Sequence, residues 1–207
     1  KNNHFLKKLV IGSHNSGKIN EINKLFINFD IELLNSKKLN LCVPEETGKN
    51  FNENALIKAK YVSEKTGLVS ISDDSGLCVE SLGGLPGVCS ADWAGPKKDY
   101  LYAFKKIQKM MKISKNSTNA KMVCCICVYW PNGFFEIFKG EVKGQIVFPP
   151  RGNLGFGYDP IFLPTIQPNN KSNLTFAEID SNFKNKISHR NDAFKKLIKK
   201  LILKPKK

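Results

Sequence analysis

The sequence predicts an α/β protein in which helices flank a mixed central sheet. Strand-like apolar runs alternate with amphipathic helix patterns along most of the 207 residues. Three consecutive strand-like runs, at residues 120–129, 133–139 and 141–147, indicate that part of the sheet is antiparallel. We expect one continuous domain over residues 1–207, with two lobes around a cleft and a basic tail from about residue 199.

The first part of the chain predicts three strands and two helices. Ile19, Ile22 and Phe26 recur at helical spacing, and Gly67 is a typical residue at the C-terminal end of a helix. The predicted elements are a strand at 5–11, a helix at about 18–28, a strand at 31–34, a helix at 52–66 and a strand at 69–72.

The second part combines helices with the three consecutive strands. Glycine and proline predict loops at 82–87 and 149–158. The remaining predicted elements are a helix at 100–111, a short extended segment at 160–163, a helix beginning at 175–178 and a closing helix at 188–202.

The composition indicates a soluble, anion-attracting protein. The net charge is +15, from 33 basic and 18 acidic residues, and only Arg151 and Arg190 are arginines. Such a surface attracts polyanions, but the charge alone does not choose between nucleic acid and free nucleotide phosphates. A general bias of composition toward lysine, asparagine and isoleucine explains the charge equally well. No apolar run approaches the ~20 residues that span a bilayer, so we expect no membrane partner.

The six cysteines favour a reducing compartment. Three of them lie in the apolar, strand-like run around residues 124–127, where cysteine acts as a small hydrophobe. Structural zinc is therefore not expected, and a cytoplasmic location fits best.

The most informative segment is the pair of adjacent carboxylates, Asp73 and Asp74, at the end of a strand-like run. Neighbouring carboxylates repel each other, and a divalent cation such as Mg²⁺, bound together with substrate phosphates, would relieve the repulsion. The following Ser75 and Gly76 are typical turn residues, however. Taken alone, the segment favours a turn over a metal site.

The polar loop at residues 13–18 lies between a predicted strand and a predicted helix. Ser13, Asn15 and Lys18 at a helix N-terminus can hold phosphate oxygens. The loop is not a Walker A motif, because Ile19 follows the lysine in place of a hydroxyl residue. A plain helix cap by serine or asparagine is an equally good interpretation.

Two further segments carry candidate functional groups. Acidic residues at 45–46 either stabilise the helix that follows or supply Glu46 to a metal site shared with Asp74. Residues 155–160 place glycines around aromatic rings, so a base could approach the backbone and stack, and residues 188–190 offer donors to a base or a phosphate. A turn and a capped helix are the corresponding structural interpretations.

Together these segments resemble one family, the Ham1-like inosine triphosphate pyrophosphatases. The resemblance runs from Leu9 to about residue 197, and its motifs occur in family order. The matching segments are 13–18, 45–55 with Lys58, 72–77, 82–87, 156–162 and 187–190.

The resemblance implies an enzyme with a nucleotide-binding cleft that hydrolyses non-canonical purine nucleoside triphosphates (ITP, dITP and XTP) to the monophosphate and pyrophosphate. It implies a homodimer, and Mg²⁺, with Mn²⁺ as an alternative. Asp74 matches the proton acceptor for the attacking water. The implied metal ligands are Glu46, Asp74 and Asp73. The implied substrate-binding residues are Ser13, Asn15, Lys18, Lys58, Ser75, Phe156, Gly157, Tyr158, Asp159, Lys184, His189 and Arg190.

In that assignment Ser13, Asn15, Lys18 and Lys58 clamp the triphosphate, while His189 and Arg190 read the 6-oxo edge of the base. Two alternatives are weighed against it. One is a related pyrophosphatase that prefers pyrimidine triphosphates. The other is a nucleic-acid-binding protein that uses the positive charge. The sequence has no helix-turn-helix, RNA-recognition or zinc-finger signature, and we expect no stable nucleic-acid partner.

Overall fold

The computed structural model of the chain describes residues 6–114, 117–169, 172–201 and 205. Its strands are β1 (Lys8–Ile11), β2 (Glu32–Asn35), β3 (Ser70–Val79), β4 (Asn119–Tyr129), β5 (Phe135–Ile146) and β6 (Phe162–Pro164). Its α-helices are α1 (Ser16–Leu25), α2 (Phe51–Thr66), α3 (Tyr100–Ser114), α4 (Ser181–Ile187) and α5 (His189–Ile198). In the part of the chain described, no helix has the length and apolar character needed to cross a bilayer.

The strands form one sheet in the order β2-β1-β3-β4-β5-β6. Strand β1 pairs in parallel with both β2 and β3, whereas β5 and β6 are antiparallel. The prediction of an α/β fold with a mixed sheet is therefore confirmed. Residue 5 of the first predicted strand and residue 202 of the last predicted helix lie outside the described residues.

The prediction of separate strands at 133–139 and 141–147 is wrong, because both belong to β5. Gly140 lies between the two predicted strands. Buried positions recur at every second residue from Phe138 through Gly140 and Val142 to Ile146. Glycine weakens a strand but does not end it when the alternating burial continues on both sides.

Strand β3 is longer than predicted and contains the two adjacent carboxylates. The prediction ended this strand at residue 72, but the extended backbone continues through Asp73 and Asp74 to Val79. Polar residues interrupt the apolar pattern here, so no local pattern indicates that the strand continues. Cationic side chains from elsewhere in the chain compensate the buried charges.

The C-terminal helices differ from the prediction in where they begin. Residues 175–178 form a turn, and α4 starts only after Asp180, whose carboxylate accepts hydrogen bonds from the backbone N–H groups of Asn182 and Phe183. Ser188 has an extended backbone and separates α4 from α5. The predicted closing helix from residue 188 therefore begins at His189 and ends at Ile198.

The described chain forms two compact units. The first comprises the residues up to 74, those at 124–140 and those from 190 onward; the second comprises 75–123 and 141–189. The prediction of one continuous domain over residues 1–207 stays a prediction.

Each unit has its own hydrophobic core. In the first unit, the ring of Phe26, the residue that follows α1, packs against that of Phe194 in α5, with centres 4.8 Å apart. In the second unit, Phe104 and Ile107 of α3 pack with Phe162 and Phe176. The burial of these side chains fixes the helices that carry several of the candidate site residues.

Candidate active site

Strand β3 buries two carboxylates that are neighbours in the chain. Asp73 and Asp74 are 2% and 5% exposed. Because successive side chains of a strand point to opposite faces, the two carboxylates have different partners. We call the first group the Asp73 cluster, consisting of Lys18, Glu21, Asp73, Cys124 and Arg190. We call the second the Asp74 cluster, consisting of Glu46, Asn54, Lys58 and Asp74.

The Asp73 cluster is a buried ion-pair network. Oδ2 of Asp73 lies 3.1 Å from Nζ of Lys18 and 3.3 Å from a guanidinium nitrogen of Arg190. Arg190 also donates to the carboxylate of Glu21. The thiol of Cys124 lies 3.8 Å from Asp73 Oδ2. Asp73 is therefore held by cations from α1 and α5.

Arg190 remains a cation although it is buried. Burial alone would lower the pKa of the guanidinium, but the charges of Asp73 and then of Glu21 raise that pKa above its ordinary value. Removing one partner of such a buried pair leaves an uncompensated charge. Arg190 and Asp73 consequently depend on each other.

The Asp74 cluster gathers two carboxylates around one ammonium group. Nζ of Lys58 lies 2.9 Å from Oε1 of Glu46 and 3.5 Å from Oδ1 of Asp74. Asn54 donates from Nδ2 to Oδ2 of Asp74, at 3.2 Å. The side chain of Lys58 is buried, while that of Glu46 is 38% exposed. The cluster therefore has one solvent-accessible carboxylate and one buried carboxylate.

Burial shapes the protonation of this cluster. It raises the pKa of Asp74 above its ordinary value, and Lys58 and Lys18 only partly offset the effect. Burial would lower the pKa of Lys58, but the charges of Asp74, Asp73 and Glu46 raise it. Asp74 is thus a better proton acceptor than an exposed aspartate, and Lys58 keeps its positive charge.

Asn54 connects the acidic loop to Asp74. Its side-chain oxygen accepts a hydrogen bond from the backbone N–H of Gly48 at 2.8 Å, and its amide nitrogen donates to Asp74. A Cβ atom at position 48 would lie 2.5 Å from that oxygen, so only glycine fits. The loop that carries Glu46 is therefore fixed by a residue of the buried face of α2.

The loop before α1 has the geometry of a capped helix N-terminus. Asn15 accepts a hydrogen bond from the backbone N–H of Lys18 at 3.1 Å, and its own N–H donates to Oγ of Ser13 at 3.3 Å. The capping interpretation is therefore confirmed for Asn15. It does not conflict with phosphate binding, since a helix N-terminus also attracts anions.

In the second unit, segment 155–159 is organised around the Asp159 carboxylate. Oδ2 of Asp159 accepts hydrogen bonds from the backbone N–H of Phe156 at 2.8 Å and from Nζ of Lys184 at 2.6 Å. The Lys184 ammonium lies 5.0 Å from the centre of the Phe156 ring, a cation–π distance. Tyr158 donates from its hydroxyl to the backbone carbonyl of Ser90 at 2.7 Å.

The predicted site residues divide between the two units. The first unit contains Ser13, Asn15, Lys18, Glu46, Lys58, Asp73, Asp74 and Arg190; the second contains Ser75, Phe156, Gly157, Tyr158, Asp159, Lys184 and His189. Within the first unit, Arg190 contacts Asp73 and Glu21. Asp73 contacts Lys18 and Arg190, whereas Glu46 and Asp74 share Lys58.

Several residues of these clusters were not predicted as site residues. Glu21 of α1 and Cys124 of β4 belong to the Asp73 cluster, and no sequence motif marks either residue. Asn54 could have been found, because it is a polar residue on the face of α2 that also buries Ala55 and Val62. Buried amides are usually hydrogen-bonded to something specific.

Glu46 and Asp74 are the two carboxylates that could supply oxygen donors to a divalent cation. Both contact the ammonium of Lys58. Within the described ranges, no group of three or more His, Cys, Asp or Glu side chains is arranged to hold a metal ion. Magnesium in nucleotide enzymes is commonly held by one or two carboxylates with substrate phosphates, and this donor set fits that pattern.

Comparison with known proteins identifies the family to which the chain belongs. The chain belongs to the Ham1 family, whose model matches residues 9–200, as the sequence motifs predicted. The dITP/XTP pyrophosphatase of Zymomonas mobilis is 44% identical over 193 residues, covering 92% of this chain and 90% of that protein. The dITP/XTP pyrophosphatase of Bartonella quintana is 42% identical over 95% of this chain and 96% of that protein.

A solved structure agrees with these relatives. The structure of a HAM1 protein from Coxiella burnetii superposes with a TM-score of 0.83 at 34% identity. The match covers 93% of this chain and 96% of that chain.

Proposed function

We propose that this chain hydrolyses non-canonical purine nucleoside triphosphates (ITP, dITP and XTP) to the monophosphate and pyrophosphate, and so removes them from the nucleotide pool. Relatives over 40% identical that carry the name dITP/XTP pyrophosphatase support the substrate class. The single structural observation behind the chemistry is the Asp74 cluster, in which a buried carboxylate lies beside a second carboxylate and a buried lysine.

The triphosphate would be bound by groups of the first unit. Lys18 and Lys58 supply positive charge, and Ser13 and Asn15 lie at the N-terminus of α1, where backbone N–H groups favour anions. Both lysines are largely buried, so their charges act on phosphate oxygens with little screening by water.

Glu46 and Asp74, with phosphate oxygens, would hold a divalent cation, Mg²⁺ or alternatively Mn²⁺, that neutralises phosphate charge and favours ionisation of water. Asp73 was predicted as a third ligand. Its observed contacts support a different role, in which it holds the ammonium of Lys18 in place.

Asp74 would accept the proton of the attacking water. The water oxygen forms a bond to the α-phosphorus, the bond between that phosphorus and the α–β bridging oxygen breaks, and pyrophosphate leaves with the electron pair. The raised pKa of Asp74 makes its carboxylate a stronger base at neutral pH. Asn54, which donates to Oδ2, fixes the orientation of the carboxylate.

The base would be read by groups of the second unit. Phe156 and Tyr158 offer rings, Gly157 offers approach to the backbone, and Asp159 offers an acceptor for a ring N–H group. Ser75, Lys184 and His189 complete this set, with His189 at the 6-oxo edge. A donor that faces the 6-oxo group would be left unpaired by adenine, at a cost of about 1–3 kcal/mol.

Arg190 was predicted to read the 6-oxo edge together with His189. Its guanidinium is 2% exposed and is bound to Asp73 and Glu21. We therefore assign to Arg190 the role of positioning Asp73. Asp73 in turn holds Lys18, which would bind phosphate.

We further propose that the enzyme acts in the cytoplasm as a homodimer, without a stable nucleic-acid partner. All six cysteines are free thiols and three of them are buried, which fits a reducing compartment. Sedimentation of the purified protein would measure the assembly state directly.

The test of this function is release of pyrophosphate from a panel of triphosphates. We expect turnover of ITP, dITP and XTP with Mg²⁺, little turnover of ATP and GTP, and none after chelation of the metal. Each reaction should give one monophosphate for each pyrophosphate. Faster turnover of dUTP or UTP would favour the pyrimidine alternative. Salt-sensitive binding of DNA or RNA without any turnover would favour the nucleic-acid-binding alternative.

A further inference from the structure

Tyr100 lies beside the proposed base-reading segment, although no sequence motif includes it. It is the first residue of α3, and Asp99 caps that helix by accepting a hydrogen bond from the backbone N–H of Leu101 at 3.0 Å. The Tyr100 ring packs edge-on against Tyr158, with centres 5.3 Å apart and planes at 85°. The start of α3 and the base-reading segment are therefore in direct contact.

Gly157 brings the Tyr100 ring close to the backbone of the segment. Gly157 has a φ of +66°, and a Cβ atom built there would lie 3.7 Å from the Tyr100 ring and 3.8 Å from its hydroxyl oxygen. The Tyr100 hydroxyl therefore lies close to Gly157, where no side chain covers the backbone of the segment.

The hydroxyl groups of the two tyrosines have different roles. Tyr158 uses its hydroxyl to donate to the carbonyl of Ser90. For Tyr100, no residue in the described ranges accepts a hydrogen bond from the hydroxyl or donates one to it. Burial, and then the negative charge of Asp159, raise the pKa of Tyr100, so its hydroxyl keeps its proton at neutral pH. A half-buried, neutral phenol with donor capacity therefore lies beside the segment.

We propose that the Tyr100 hydroxyl is an additional base-reading group, which forms a hydrogen bond with the edge of the purine held by segment 155–159. The inference rests on the proposed function, since it assumes that this segment binds the base. It assigns Tyr100 to substrate recognition and leaves proton transfer to Asp74. A hydroxyl can both donate and accept, so oxo groups and ring nitrogens of hypoxanthine and xanthine are suitable partners.

The test compares Tyr100→Phe with Tyr102→Phe. Both substitutions remove only a hydroxyl and lie on α3, but Tyr102 is 64% exposed and serves as the matched control. Steady-state kcat and KM would be measured with dITP and with XTP. Inhibition by tripolyphosphate, which has no base, reports on phosphate binding alone. Thermal unfolding of each variant reports on the fold.

We expect Tyr100→Phe to raise KM for dITP, for XTP or for both by about two- to tenfold, the range for one lost hydrogen bond. The inhibition constant of tripolyphosphate, kcat and the unfolding midpoint should stay close to the parent values, because uniform loss of binding changes KM alone. Tyr102→Phe should change none of these quantities.

Unchanged KM for both substrates would overturn the assignment of Tyr100 while leaving the proposed function intact. Tripolyphosphate inhibition weakened as much as substrate binding, or a lower unfolding midpoint, would also overturn it. The substitution would then act on phosphate binding or on the stability of the fold, and not on base recognition. Absence of dITP and XTP turnover in the parent protein would instead refute the proposed function, and the inference with it.

Discussion

The strongest structural prediction concerns Arg190, which holds the buried carboxylate of Asp73 and the partly buried carboxylate of Glu21. Arg190→Met keeps the approximate volume and removes the charge. The side chain of Asp73 is fully buried and that of Arg190 nearly so, so water screens their interaction little. Breaking a buried pair by removing one partner typically costs about 3–5 kcal/mol. We therefore expect the free energy of unfolding to fall by ~3–5 kcal/mol.

Urea unfolding followed by circular dichroism measures this effect. With a slope of about 2–3 kcal/mol per M, the midpoint should fall by roughly 1–2.5 M. The matched control is Lys196→Met, which removes an i,i+4 pair with Asp192 whose side chains are 52% and 41% exposed. Exposed pairs contribute only about 0.2–1 kcal/mol, so this midpoint should scarcely move.

A double variant separates the ion pair from the packing of the side chain. Removing the charge of Asp73 as well, in Asp73→Asn with Arg190→Met, should restore part of the lost stability, because the buried carboxylate that has lost its guanidinium partner is gone. If Arg190→Met were no more destabilising than Lys196→Met, or if the two substitutions were additive, the buried-pair interpretation would be refuted.

Three other predictions follow from local features. Asn54→Asp should lower kcat/KM for dITP about tenfold or more, since it replaces the hydrogen-bond donor to Asp74 by a second acceptor. The control Asn52→Asp, on the exposed face of α2, should leave kcat/KM unchanged. Iodoacetamide at pH 8 should alkylate the exposed Cys42 first and Cys127 only after unfolding, because burial raises the pKa of Cys127 to about 12. Mass spectrometry measures the two alkylation rates, and equal rates would contradict this prediction. Added salt should lower kcat/KM for triphosphates more than kcat, because the net charge of +15 speeds their encounter; equal sensitivity would argue against steering.

Local signals predicted most of the fold correctly. Helix α2 was expected at 52–66 and is observed at Phe51–Thr66, because its apolar spacing and the C-terminal Gly67 are both visible in the sequence. Gly67 has a φ of +68°, the left-handed conformation that glycine adopts most easily. Strand β4 is similarly close to its predicted bounds.

Non-local contacts explain what the sequence could not show. Asp73, buried within β3, is paired with Arg190, which lies 117 positions away in the chain, and no local pattern encodes that contact. The motif containing Arg190 pointed to base recognition, yet the observed partners of its guanidinium are Asp73 and Glu21. Tyr100 was not predicted as a site residue for the same reason, since its position beside Gly157 depends on how α3 packs within the second unit.

The measurement that tests the central claim most directly is dITP hydrolysis in ¹⁸O-labelled water. It compares the parent protein with Asp74→Asn and with Glu64→Gln, a control at an exposed acid on α2. Attack of water on the α-phosphorus, with Asp74 as proton acceptor, predicts label in the monophosphate and none in pyrophosphate. It also predicts a loss of turnover of about 10²-fold or more in Asp74→Asn, with Glu64→Gln unaffected. Label in pyrophosphate, or full turnover by Asp74→Asn, would contradict the proposed mechanism.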